Sequence, residues 1–129
     1  MSEAEKPAPF ARRIVVADGD LVARRLIAET FAASGCEVRE FDRGDSLLEA
    51  LEPSAPPALV IFAISLPDES GLTVLRKLRE RGYRMPIVLV ASCPSADELN
   101  DAFRFGANLV LGKPIKVDDS RRILSGFLA

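Results

Sequence analysis

Few side chains in this chain of 129 residues are placed to do chemistry, and histidine is absent altogether. That removes the commonest general base, the commonest zinc ligand and any phosphohistidine carrier. What remains is the carboxylates Asp18, Asp20 and Asp68, the ammonium of Lys113 ahead of Pro114, and the hydroxyls of Ser65 and Ser92. A divalent cation needs several converging oxygens. Only Asp18 directly follows an apolar run; Asp20 reads as a helix cap and Asp68 as a solvated loop residue. Lys113 also leaves an apolar run, so its ammonium is expected over the same crevice as Asp18, as an ion pair rather than a phosphate contact. A nucleotide site is poorly supported, because the first turn, ADGD, sets a single glycine between two carboxylates that repel phosphate. A hydrolase nucleophile elbow needs GxSxG and a histidine, and neither is present.

Short apolar runs alternating with amphipathic stretches must position these groups. Strands are expected over Ile14 to Ala17, Cys36 to Phe41, Ala58 to Phe62, Pro86 to Val90 and Asn108 to Leu111. The first helix carries Val22, Leu26 and Thr30 on one face with Ile27 and Phe31 beside it, is capped by Asp20 and ends at Gly35. The second holds Leu47, Leu48 and Leu51 and stops at Pro53, and the third holds Leu72, Leu75 and Leu78 and stops at Gly82. Ser95 and Glu98 spell a capping box for the fourth, and Ile123, Leu124, Phe127 and Leu128 mark the last. Ala58 to Phe62 is apolar throughout, as in a strand covered on both faces. Strict strand and helix alternation predicts a three-layer α/β/α sandwich with right-handed crossovers. Ligands on such sheets sit at the carboxyl ends of the strands, so residues 18–20, 63–70, 91–94 and 112–114 are the ones to interrogate.

Length and composition bound the rest. The chain suits one domain, with residues 1–11 as a flexible leader and 12–129 as the folded unit. Seventeen basic and nineteen acidic residues, interspersed, give a net charge of −2, which argues against a nucleic-acid surface. The longest apolar run, Ala58 to Ile64, is too short to cross a membrane, and the amino terminus lacks a signal-peptide pattern, so a cytoplasmic location is expected. Cys36 and Cys93 form no metal or redox spacing and read as small core residues.

The blocks IVVADGDLVARRLI, ALVIFAISLPDESGLTVLRKLRERG, MPIVLVAS and FGANLVLGKPI, in this order from Ile14 to about Leu128, resemble the receiver domain of bacterial response regulators. The resemblance implies a flavodoxin-like fold whose five-stranded parallel sheet runs in order 2-1-3-4-5. It also implies a site where a kinase phosphohistidine passes a phosphoryl group to an aspartate ending the third strand. In that family two acids after the first strand hold magnesium, a hydroxyl ends the fourth strand, and a lysine followed by proline ends the fifth. Carried over by position, the first acid is Asp18 and the lysine is Lys113, followed by Pro114. The second acid falls on Gly19, the phosphoacceptor on Ala63, the hydroxyl on Ala91 with Ser92 one place late, and the switching aromatic on Val110. One carboxylate and one ammonium would leave this pocket neutral without a cation, so no metal and no cofactor are expected.

The resemblance therefore points to a non-enzymatic, phosphorylation-independent pseudo-receiver that acts in two-component phosphorelay signalling by protein-protein interaction. Its partner is expected to be a sensor kinase, a phosphotransfer protein, another regulator or a second copy in a homodimer, and not a membrane or a nucleic acid. No output domain is expected after Ala129, so output lies in that partner. Candidate surfaces are the first helix with Arg24 and Arg25, and the face of the fourth helix, fifth strand and fifth helix with Phe103, Phe105 and Val110. Two alternatives are a receiver phosphorylated at a non-standard residue (Asp18, Asp68, Ser65 or Ser92) and a sensor of a small uncharged molecule.

Overall fold

The computed structural model describes residues 12–128; the leader expected over residues 1–11 lies outside the described residues. Five strands and five helices alternate: β1 (Arg13–Ala17), α1 (Leu21–Ala32), β2 (Glu37–Phe41), α2 (Gly44–Ala50), β3 (Leu59–Ala63), α3 (Gly71–Glu80), β4 (Ile87–Ala91), α4 (Ala96–Arg104), β5 (Leu109–Gly112) and α5 (Val117–Phe127). The strands form one parallel sheet in the order β2-β1-β3-β4-β5. Every residue of β3 is buried, as its unbroken apolar run requires of the middle strand of a sheet covered on both faces.

Local signals act where the sequence placed them. The Asp20 carboxylate accepts from the amides of Val22 and Ala23, and Ser95 and Glu98 form the reciprocal capping box of α4. Gly35 and Gly82, at φ 87 and φ 89, turn the chain out of α1 and α3 in a left-handed conformation that side chains disfavour.

Helix packing then selects among the apolar stripes. In α1 the buried residues are Ile27, Ala28 and Phe31, whereas Val22 and Leu26 remain exposed. Phe31, Phe62, Ile14 and Leu75 are among the large side chains closed off from solvent, each contributing about 1.5–3 kcal/mol by burial. Cys36 is buried as expected, but Cys93 is exposed. It lies beyond the end of β4, before Pro94, where the chain has left the sheet.

At the amino ends of β4 and β5, one arginine closes the molecule. The Arg79 guanidinium donates to the carbonyls of Tyr83, Met85 and Gly106 and to Asn108 Oδ1, all at 2.8–3.1 Å. Asn108 Oδ1 in turn accepts from the Ile87 amide at 2.9 Å. Five donors in a planar fork can satisfy that many oxygens at once, which a lysine cannot.

Candidate functional site

The strand register sets Ala17 beside Phe62, Ala63 beside Val90, and Ala91 beside Gly112. Asp18, Ala63, Ala91 and Lys113 thus stand at neighbouring carboxyl ends of the sheet. The ladder continues one step past the strands, with the Asp18 amide on the Phe41 carbonyl at 3.0 Å and the Lys113 amide on the Ala91 carbonyl at 2.9 Å. Both side chains are therefore launched from a fixed backbone. The Lys113–Pro114 peptide bond is cis.

Asp18 and Lys113 meet as expected. Lys113 Nζ lies 2.6 Å from Asp18 Oδ2, with the Asp18 side chain 2% exposed and that of Lys113 20% exposed. The approach is charge to charge rather than an aligned hydrogen bond, since Oδ2 has no hydrogen-bond donor among the described residues. The other oxygen, Oδ1, accepts from the Asp20 amide at 2.9 Å. Arg24 donates to the Asp18 carbonyl at 3.0 Å and pairs with Glu40 at 3.2 Å, so it steadies the same corner from the other side.

The remaining positions of the pocket carry no acid. Gly19 is exposed, Ala63 is buried with a methyl group at the end of β3, and Ala91 is half-buried at the end of β4. Ser92 is exposed and borders, with Lys113, a cleft of about 320 Å³ whose walls are Val22, Leu26, Ile27 and Val90. No group of three or more His, Cys, Asp or Glu residues that could hold a metal ion occurs among the described residues.

Asp68 is not the free loop residue expected. Its two carboxylate oxygens accept from the amides of Gly44 and Asp45, each at 2.9 Å, and so cap α2 from a distance in sequence. The Gly44 bond, then that of Asp45, favours the ionised form and lowers its pKa to about 2. Gly44 has to be small there, because a Cβ would come within 2.8 Å of Val74 Cγ2. The sequence shows neither contact, since the partners lie 24 and 23 positions away.

The surface residues fall into two separate groups. Arg25 is held by Glu40 and Glu29 on the outside of α1. On α4, Phe103 is 53% exposed, whereas Phe105 is half-buried under the guanidinium groups of Arg76 and Arg104, at 5.2 and 5.0 Å from its centroid. Val110 is half-buried in β5, beside Leu89. Composition did not disclose a further group, namely Leu21, Val22 and Leu26 of α1 with Val117 of α5, which are exposed by 59, 77, 43 and 66%. Two apolar residues opening a helix, where acids are favoured, were the available signal.

Comparison with known proteins agrees with this architecture. The profile of the response regulator receiver domain matches residues 14–125. The DNA-binding transcriptional regulator NtrC of Escherichia coli is 28% identical over 105 residues, which is 81% of this chain and 22% of that protein. The transcriptional regulatory protein QseB of Escherichia coli is 32% identical over 102 residues, 79% of this chain and 46% of that protein. The chain therefore spans less than half the length of these relatives. Among solved structures, the CheY-like receiver domain protein of Methanospirillum hungatei superposes with a TM-score of 0.83 at 23% identity, covering 91% of this chain and 93% of that one. The receiver domain of NtrX from Brucella abortus gives 0.80 at 28% identity, covering 89 and 97%. No helix of the described residues is long and apolar enough to cross a membrane. With its fold, its strand-end lysine and a family match along most of its length, the chain belongs to the response regulator receiver domains of two-component signalling.

Proposed function

We propose that this receiver is a pseudo-receiver: a non-enzymatic cytoplasmic module that works in two-component signalling by binding another protein, without being phosphorylated. The observation that carries the reading is the pairing of Asp18 with Lys113 beside a β3 terminus that ends in the methyl group of Ala63. A methyl group cannot accept a phosphoryl group, and the ammonium that would contact one is already spent on a buried carboxylate. Magnesium does not fit the residues present either. Asp18 has one oxygen on Lys113 and the other on the Asp20 amide, while Gly19 and Ala63 bring no oxygen from a side chain.

The alternative acceptors are poorly set up for transfer. Asp18 is buried in its ion pair, and Asp68 is bound through both oxygens to backbone amides. Ser92 is exposed, but no histidine exists to activate its hydroxyl. Binding is supported instead by apolar residues of α1 at the cleft: Val22 and Leu26 line it while exposed to solvent, and Leu21 is exposed next to Val22. Large apolar side chains gathered on one face mark contact surfaces in soluble proteins. NtrC is named as a DNA-binding regulator, but the match covers 22% of its length, and the partner assigned here is a protein.

Intact-mass measurement after incubation with acetyl phosphate and magnesium tests the reading. The mass is expected to stay unchanged; the gain of one phosphoryl group would overturn it, and peptide mapping would then name the acceptor among Asp18, Asp68, Ser65 and Ser92.

A further inference from the structure

Resting on the reading that this receiver works by binding a protein, we propose that the turn between α3 and β4 seats an acidic segment of that partner, held by Arg81 and Arg84. Residues 76–84 read RKLRERGYR, five cations against one acid in a chain whose net charge is −2. Around this turn the other surface cations come with carboxylates: Arg76 pairs with Glu80, Lys77 with Glu69, and Arg104 with Asp101. Arg81 and Arg84 are exposed and have no ion-pair partner among the described residues. Glu80 is already held by Arg76, and Glu52 of the loop between α2 and β3 lines a separate cleft with Arg13 and Arg39. Burial first, and the charge of Arg84 after it, lower the Arg79 pKa, a sign that the Arg84 charge is not neutralised locally.

The backbone that carries these two arginines is fixed. The Gly82 amide donates to the Arg79 carbonyl at 3.0 Å and the Tyr83 amide to the Leu78 carbonyl at 3.1 Å, the paired closure of a helix by a left-handed residue. The Arg79 guanidinium then ties down the carbonyls of Tyr83 and Met85, on either side of Arg84. Two clefts flank the turn, of about 310 and 320 Å³, and both are lined by Gly82, Tyr83 and Arg84. The second adds Arg81 together with Pro53 and Pro56. Planar guanidinium forks beside proline rings suit carboxylates carried on a chain with apolar atoms between them, and a turn ordered in advance lowers the cost of binding. Because the clefts share one wall, an extended segment lying across Gly82 reaches both, whereas a lone small anion occupies one. A nucleic-acid strand suits the turn less well: it needs exposed rings on which to stack its bases, and Tyr83 is only 7% exposed.

The experiment follows the fluorescence anisotropy of a labelled decapeptide of alternating glutamate and leucine as the full chain is added, with a glutamine-for-glutamate peptide as control. The wild type should bind the acidic peptide and not the control, with an affinity that falls as salt is raised. Arg81→Gln/Arg84→Gln should raise Kd at least about tenfold. Arg121→Gln/Arg122→Gln, which removes the same charge from the exposed side of α5, should leave Kd nearly unchanged. Equal weakening by the two double variants would overturn the site, as would a wild type that does not bind. Displacement of the peptide by oligothymidylate or by pyrophosphate, at lower concentration than by unlabelled acidic peptide, would overturn it in favour of a nucleic acid or a small anion. A second measurement needs no variant: titrating the acidic peptide into the labelled wild type should displace the amide resonances of Gly82 and Arg84, and displacement confined to α1 would contradict the site. Loss of the site leaves the proposed function standing, whereas a phosphoryl group gained in the intact-mass test overturns that function without touching peptide binding.

Discussion

Two cations close the two ends of this sheet, and they do so by different means. At the amino ends of the strands, Arg79 spreads its donors over three carbonyls and an amide oxygen, with no carboxylate involved. Burial, with the charge of Arg84 added, pulls its pKa down from the usual arginine value, yet the group stays charged and bonded. At the carboxyl ends, where ligands of α/β sheets sit, Lys113 meets the single buried carboxylate of Asp18. The first end is structural in any such fold. The second has the form of a structural joint in the place where chemistry would be done, and in this account that is its role.

Breaking the Asp18–Lys113 pair tests that equivalence with the largest effect. Lys113→Met should destabilise the chain by about 3 kcal/mol, because it strands a buried carboxylate. Asp18→Asn in the same background should recover much of the loss, as read by urea denaturation, since the amide needs no counter-charge. A lysine waiting for an incoming phosphoryl group would show little loss in the single variant. Arg79→Lys should cost about 2 kcal/mol at the other end, because an ammonium cannot replace the guanidinium fork across loops from two units of the fold.

Asp68→Ala should cost about 1 kcal/mol as the loss of a helix cap. Its pH dependence separates it from the others. The folded-state pKa of Asp68, about 2, lies below the ordinary value of 3.8. Its contribution is therefore complete above about pH 4 and disappears as the pH falls towards 2. The stability gap between wild type and Asp68→Ala should narrow over that window, whereas a gap that stayed constant down to pH 2 would deny the capping role. Smallest is Val22→Asp on the exposed side of α1, which should change stability by less than about 0.5 kcal/mol while weakening capture of the protein partner. Unchanged capture would move the docking surface elsewhere, with exposed Phe103 on α4 the next position to charge.

Much of this was legible in the chain itself. The period of the apolar residues, the caps at Asp20 and Ser95, and the all-apolar β3 are local signals, and each formed the element it specified. The Asp18–Lys113 contact was legible because both residues directly follow strands of one parallel sheet, whose carboxyl ends must converge. Asp68 and Arg79 were not legible, because their roles depend on which loops of distant units come together. Nor does a helical stripe disclose which side of α1 packs. Val22 and Leu26 repeat at the same spacing as Ile27 and Phe31, and only the position of the sheet decides between them.

The most direct test of a chemically silent receiver is the two-dimensional amide NMR spectrum of the labelled chain, recorded before and after adding magnesium and acetyl phosphate together. The resonances of Asp18, Ala63, Ser92 and Lys113 should stay where they are if the receiver is chemically silent. Saturable displacement of those amides, spreading into the loop between β4 and α4, would contradict it.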